Sequence, residues 1–399
     1  MNNTRFTLIC PRTRHGVSPI GADPVTPKRK IRLGLPYPLI GVFVRTLGSK
    51  AVLAVAVVGG LLAGCSSGSG DGDNGSSQNK NTSGGDRNLV SGASEGPSVA
   101  PGAVAAGMGA GSAEDGEFPR TVGHFEGKTE IRSTPEKIAA LSTGQLDDLL
   151  TLGIVPTVTT RADNAGPAPD YLNDAFPAYK KQLAAMTDAG TRTAPNLETL
   201  AAAKPDLILI NDSLGDLYPK LSKIAPTVVT AGNGINWKRD LLLVGDAVGK
   251  GDKGDKAQEL LDGIVSDAVT RGKQLGDPAV SMVRFTPDRT RMFGVSSFTG
   301  SIAVDMGLSR PKSEQFKAIS QDIGAESIDV ADGDWIFYSV QGDVSKTDAA
   351  SVLAGPLWTS MKAVKAGHAV KVDDDPWYLN AGPTAARLVV RQLADTLGK

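Results

Sequence analysis

The sequence predicts an α/β protein of two Rossmann-like lobes joined by a long connecting α-helix, with a ligand cleft between the lobes. Short β-branched runs alternate with helical patterns from about residue 117 to 250, and the alternation resumes after Asp277-Pro278. Between the two series, residues 256–275 form a Pro-free stretch in which Leu260, Leu261, Ile264, Ala268 and Leu275 recur at roughly helical spacing. At 399 residues, 40% of them hydrophobic, the chain can supply two domains of ordinary size and a tail.

The first 64 residues read as a signal region. Residues 51–62 (AVLAVAVVGGLL) are the most apolar run in the chain. A dozen residues is short for a bilayer span, which needs ~20, and suits the h-region of a signal peptide. Arg45 and Lys50 precede it as a positive n-region, and Leu62-Ala63-Gly64-Cys65 resembles a bacterial lipobox, with Cys65 as the lipidated residue. Residues 1–43 are long, basic and Pro-containing beyond what an n-region needs, which suggests a translation start near Val44. From Cys65 to Gly116 the composition falls to Gly, Ser, Asp, Asn and Ala. Such a segment offers little apolar surface to offset ordering entropy, so it reads as a flexible tether reaching on the order of 40 Å.

Nine Lys/Arg and one acid precede Cys65, so the remainder holds 33 basic against 42 acidic residues, roughly −9 in charge. An acidic mature chain argues against nucleic-acid binding, which needs clustered positive charge. The two cysteines, Cys10 and Cys65, both lie before the folded region, which therefore has no disulfide or Cys nucleophile to use.

The N-terminal lobe (117–250) opens with strands at 138–141 and 155–159 around a helix at 145–152. Pro195-Asn196 starts a helix to Ala203, with Asn196 as N-cap and Glu198 in the first turn, where the helix dipole favours a carboxylate. A strand at 207–210, a helix at 217–224, a strand at 227–229 and a helix at 237–248 follow. After the connecting segment (251–277), the C-terminal lobe (278–399) reads as a hairpin-like pair at 280–285 and 291–293. Then come a helix at 300–306, strands at 335–339 and 369–372, and a closing helix at 383–397. Ligands of open α/β sheets sit beyond the carboxyl ends of the strands.

Several motifs now fall in order: Thr121-Val122-Gly123-His124, Pro135-Glu136-Lys137-Ile138, Leu146-Asp147-Asp148-Leu149-Leu150-Thr151-Leu152-Gly153, Gly190-Thr191-Arg192 with Asn196-Leu197-Glu198, Lys204-Pro205-Asp206-Leu207-Ile208, Pro356-Leu357-Trp358 and Trp377-Tyr378. Together they resemble the helical-backbone class of solute-binding proteins that serve ABC importers of ferric siderophores, haem and cobalamin. Within that class the chain is most similar to actinobacterial lipoproteins described as ferric-citrate or siderophore binders. The resemblance implies a monomeric, extracytoplasmic protein, held to the cell membrane by its lipid, that passes an iron chelate to a permease. It also implies docking onto permease arginines through Glu198 and Glu326; the family's frequent Ser two residues before the second Glu is Gly324 here.

A ferric chelate needs Arg forks for its oxygens and aromatic faces for its organic part. Arg192, Arg284 and Arg291 are the candidate forks. Arg192 precedes a helix start, and Arg284 ends an apolar strand where an unpaired charge would be costly; a structural ion pair is its rival reading. Trp237, Trp377, Tyr378, Phe298 and Tyr171 are the candidate faces, with core packing as the rival. No resident cofactor and no metal cage are expected, because the chain has three His and only His124 and His368 follow the signal region. No complete G-x-S-x-G or P-loop occurs, so an enzyme is disfavoured. Haem is the alternative ligand, and an envelope scaffold without transport activity is the alternative role.

Overall fold

The computed structural model describes residues 104–399 apart from 143, 163–165 and 252–255. The signal region, Cys65 and most of the tether lie outside them. The described residues all fall within one compact unit, Gln78–Lys399.

Strands β1 (Arg120–His124) and β2 (Gly127–Ile131) form an antiparallel hairpin. The N-terminal sheet contains β3 (Ile138–Ala140), β4 (Val158–Arg161), β5 (Thr187–Thr191), β6 (Ala194–Pro195), β7 (Leu207–Asn211) and β8 (Thr227–Thr230). Its order is β6-β5-β4-β3-β7-β8, and every pair except β5–β6 is parallel. The chain thus winds outward from β3 in one direction and then the other, which opens a switch point between β3 and β7. β7 is buried along its whole length. Its alternating side chains serve two cores: Leu207 and Leu209 on one face, Ile208 and Ile210 on the other.

The C-terminal sheet contains β9 (Val280–Phe285), β10 (Thr290–Phe293), β11 (Ser320–Ile323), β12 (Trp335–Val340) and β13 (Ala369–Lys371). Its order is β11-β10-β9-β12-β13, with a second switch point between β9 and β12. The predicted hairpin is the antiparallel β9–β10 pair.

The connecting helix runs Lys256–Gly272 and buries Leu261, Ile264 and Ala268 of the predicted stripe, whereas Leu260 is half-buried and Leu275 lies beyond the helix end. The closing helix, Pro383–Leu397, packs on it and reaches the first helix of the N-terminal lobe, Gln145–Thr151. There the Asp147 carboxylate accepts hydrogen bonds from the Thr384 and Ala385 amides at 3.0 Å. An N-lobe side chain thereby satisfies the orphan donors at the start of a C-lobe helix. Helices Trp237–Val248 and Phe298–Asp305 meet in the same seam. Lys238 and Asp305 form a buried ion pair of 2.7 Å across it.

Packing begins earlier than the sequence suggests. The reading of 65–116 as tether is corrected from Val104 onward: Gly109 bridges to Gly123, and Ala110 donates its amide to Asp246. Gly109 and Gly123 permit this because a Cβ on Gly123 would lie 2.3 Å from the Gly107 carbonyl. A Gly-rich composition here serves close backbone approach.

His124 is used structurally. Its Nδ1 accepts from the Glu126 amide at 3.2 Å, while Nε2 meets the Thr129 hydroxyl at 2.8 Å. Thr129 in turn donates to the Thr227 carbonyl. This network needs neutral imidazole with its proton on Nε2. Burial lowers the pKa from 6.5 to about 4. Unfolded His124 takes up a proton near pH 6.5 and the folded residue does not until about pH 4, so stability falls as the pH drops through that window. Melting curves from pH 7 to pH 4 are expected to show a steeper loss for the wild type than for His124→Gln. Parallel curves would refute the assignment.

Candidate ligand-binding cleft

The two switch points face a cleft of about 940 Å³. Its N-lobe wall is built from the carboxyl ends of four strands: Ser142 after β3, Arg161 and Ala162 at β4, Thr191 to Thr193 at β5, and Asn211 with Ser213 at β7. Its C-lobe wall comes from Pro287 after β9, Val340 to Asp343 after β12, and Lys371 to Asp375 after β13. Lys346 and Leu379 complete that wall.

Of the predicted ligand-binding residues, Arg192 lines the cleft. Its amide donates to the Arg161 carbonyl at 3.0 Å, and its Nη2 donates to Asn380 Oδ1 of the opposite lobe at 2.8 Å. Burial lowers the guanidinium pKa, against the raising effect of nearby Asp375. Tyr171 lies just behind, in a small polar cavity shared by Arg192, Ser142, Asp147 and Asn380. Its hydroxyl donates to Asp147 at 3.4 Å, and burial pushes its pKa well up.

The other predicted residues do not line the cleft. Arg284 is buried and donates two hydrogen bonds to Asp374, at 2.8 and 2.6 Å, with Ser339 donating to the same carboxylate. The structural ion pair is therefore its role, and its effect on the cleft passes through Asp374. Arg291 stands opposite Arg284 in the β9–β10 ladder and is 3.6 Å from Asp322 of β11. It shares the sheet face of Arg284 and does not line the cleft. Trp237 is 2% exposed and meets Phe298 edge-on in the lobe seam, with its indole N–H on Ser301. Trp377 is 1% exposed, stacks on Phe337 and donates to Gln392. Tyr378 packs against Phe293 and donates to the Phe337 carbonyl. Trp237, Trp377 and Tyr378 pack inside the fold because each has both an apolar partner and a hydrogen-bond acceptor there, and Phe298 is covered by Trp237.

The sequence reading missed Arg161, Lys346, Lys371, Asp374 and Asn380. Arg161 was within reach, because it stands at the carboxyl end of a strand. Asp188 accepts from its Nε at 2.7 Å with both side chains about one-third exposed. The described residues lining the cleft include no His, Tyr, Met or Cys, the side chains that ligate haem iron. The cleft thus gives no support to haem.

Glu198 occupies the first turn of the helix Leu197–Ala203, where Asn196 caps the Glu198 and Thr199 amides as predicted. Glu326 occupies the first turn of the 3-10 stretch Ala325–Ala331. Both are exposed. β11 runs antiparallel to β10 and β10 antiparallel to β9, so the end of β11 shares its edge with the carboxyl ends of β9 and β12. Glu326 therefore lies at the edge of its lobe that carries the cleft, and Glu198 follows β6, which begins next to the cleft-lining Thr193. Gly324 is compatible with this arrangement: the Glu326 carboxylate folds back to 2.3 Å from where a Cβ on Gly324 would lie.

The family model described as periplasmic binding protein matches residues 138–376, which run from β3 into the C-lobe wall of the cleft. The chain belongs to the periplasmic binding protein family. It is a solute-binding protein rather than an enzyme. Among curated relatives, the probable siderophore-binding lipoprotein YfiY of Bacillus subtilis is 34% identical over 285 residues, covering 68% of this chain and 85% of the relative. The Fe(3+) dicitrate-binding periplasmic protein FecB of Escherichia coli is 27% identical, covering 70% and 90%. Staphylococcus aureus SirA, solved with staphyloferrin B, superposes with a TM-score of 0.61 at 27% identity, covering 69% of this chain and 98% of SirA.

Proposed function

We propose that this periplasmic binding protein is an extracytoplasmic lipoprotein, anchored through Cys65, that captures a ferric siderophore between its lobes and delivers it to the permease of an ABC importer. The observation that carries this reading is the cleft itself. It joins the carboxyl ends of both sheets at their switch points, and it presents Arg161 and Arg192 on one wall and Lys346 and Lys371 on the other. Iron chelates are rich in oxygen acceptors, and guanidinium forks match them. Relatives named for siderophore and ferric dicitrate binding support the same ligand class.

The protein acts as a monomer in this reading. Glu198 and Glu326 place one exposed carboxylate on each lobe for the permease. Arg284 serves the site at one remove, by fixing Asp374 in the wall.

Calorimetric titration of the full chain tests the reading. The panel is ferric citrate, ferrioxamine B and ferric enterobactin, their iron-free forms, haem and cobalamin. Saturable binding of at least one iron-loaded chelate, with its iron-free form much weaker, is the expected result. Preference for haem would replace the ligand, and binding of none would favour an envelope scaffold.

A further inference from the structure

We infer that Asn380 is a positioning residue for ligand binding: from the C-lobe side it orients the Arg192 guanidinium of the N-lobe wall, so that the cleft is set for its ligand only while the lobes hold this arrangement. The inference rests on the capture reading above.

The geometry of Asn380 leaves little freedom. It is buried, and both its main-chain N–H and its side-chain Nδ2 donate to the Asp375 carbonyl, at 2.9 and 3.3 Å. That fixes the amide orientation and turns Oδ1, an acceptor only, toward Arg192. A guanidinium only donates, so the 2.8 Å contact between them has one possible polarity.

Asn380 is itself held across the seam. Four residues on, Thr384 is clamped by Asp147 of the N-terminal lobe. Gly382 sits where a Cβ would lie 2.6 Å from the Asp147 side chain, and a Cβ on Gly144 would lie 2.2 Å from the Ala381 carbonyl. Residues 380–385 therefore follow the N-terminal lobe closely, although they continue the C-terminal one. An Arg side chain loses considerable rotamer freedom when it grips a ligand, and a contact that orders it beforehand removes part of that cost. Asn380 supplies such a contact from beyond the chelate's own wall.

A double-mutant cycle on the full chain tests this, using whichever of ferric citrate, ferrioxamine B and ferric enterobactin the wild type binds most tightly. Asn380→Ala is expected to weaken binding about tenfold. Arg192→Ala should weaken it at least as much, and the double variant should bind no worse than Arg192→Ala alone. A purely structural role would instead lower affinity in both backgrounds, and additive losses would overturn the inference. Melting temperatures of all four proteins separate a folding defect from a binding one. Because Arg192→Ala removes the same contact from the N-lobe side and leaves the Asp147–Thr384 clamp in place, the cycle remains readable even if Asn380→Ala is less stable. If the wild type binds none of the three chelates, the capture reading fails and this inference fails with it.

Discussion

Charge reversal at both Glu198 and Glu326 is expected to abolish uptake while leaving chelate affinity nearly unchanged. Both carboxylates are exposed, each in the first turn of a helical segment. Neither lines the cleft. Exposed substitutions of this kind shift binding or folding by about 0.5 kcal/mol, roughly a factor of two in affinity. At a docking face the effect is much larger. Placing Lys against permease arginines replaces attraction with like-charge repulsion worth several kcal/mol, on the order of 100-fold or more. Radiolabelled-iron uptake in cells, set beside calorimetry on the purified variant, distinguishes the two effects. Single reversals should each give a partial defect. Glu198→Lys also sets a cation at a helix N-terminus, which costs about 0.3–1 kcal/mol, so its melting temperature belongs in the comparison. Normal uptake by the double variant would remove both residues from the docking role.

Glu314→Gln is expected to have the largest effect on stability. Glu314 is fully buried and pairs with Arg310, which is buried beside it. The carboxylate also accepts from the Ser281 hydroxyl at 2.6 Å and the Met282 amide at 3.1 Å. Arg310 donates in turn to the Val280 and Phe293 carbonyls. The pair thus ties β9 to the end of β10. Removing only the negative charge leaves a guanidinium in the core with no compensating charge, a loss of about 3–5 kcal/mol. In a lobe of this size that is a melting shift of roughly 15 °C. Replacing Arg310 and Glu314 together by apolar residues should recover much of the loss, because no uncompensated charge then remains buried. Urea denaturation of the single and double variants decides the matter, and a Glu314→Gln loss below about 1 kcal/mol would contradict it.

Arg284 shows why the site was only partly legible in the sequence. Its place at the end of an apolar strand signals a charge in need of a partner. The partner, Asp374, lies 90 residues further along, so chain-local reasoning leaves ion pair and ligand contact open. Trp237 and Phe298 adjoin loops in the sequence, yet they face each other across the seam with their rings 5.5 Å apart. Arg161 was overlooked because the sequence pattern ends its strand at 159, whereas β4 is Val158–Arg161. A shift of a few residues at a strand's end hid a cleft residue.

The sequence by itself determined the α/β class, the long connecting helix, the Asn196 cap and the closing helix Pro383–Leu397. Each follows from interactions over one or two turns: hydrophobic period, capping chemistry and the positions of Pro and Gly. Only the tertiary structure decided which charged groups reach the cleft. Arg192 reaches it beside Asn380, whereas Arg284 is withdrawn into a pair with Asp374 and the aromatic rings go to the core. The physical reason is that burying a charge or a polar ring edge is costly until a partner is found. In a doubly wound fold, those partners come from strands and helices far apart in the chain.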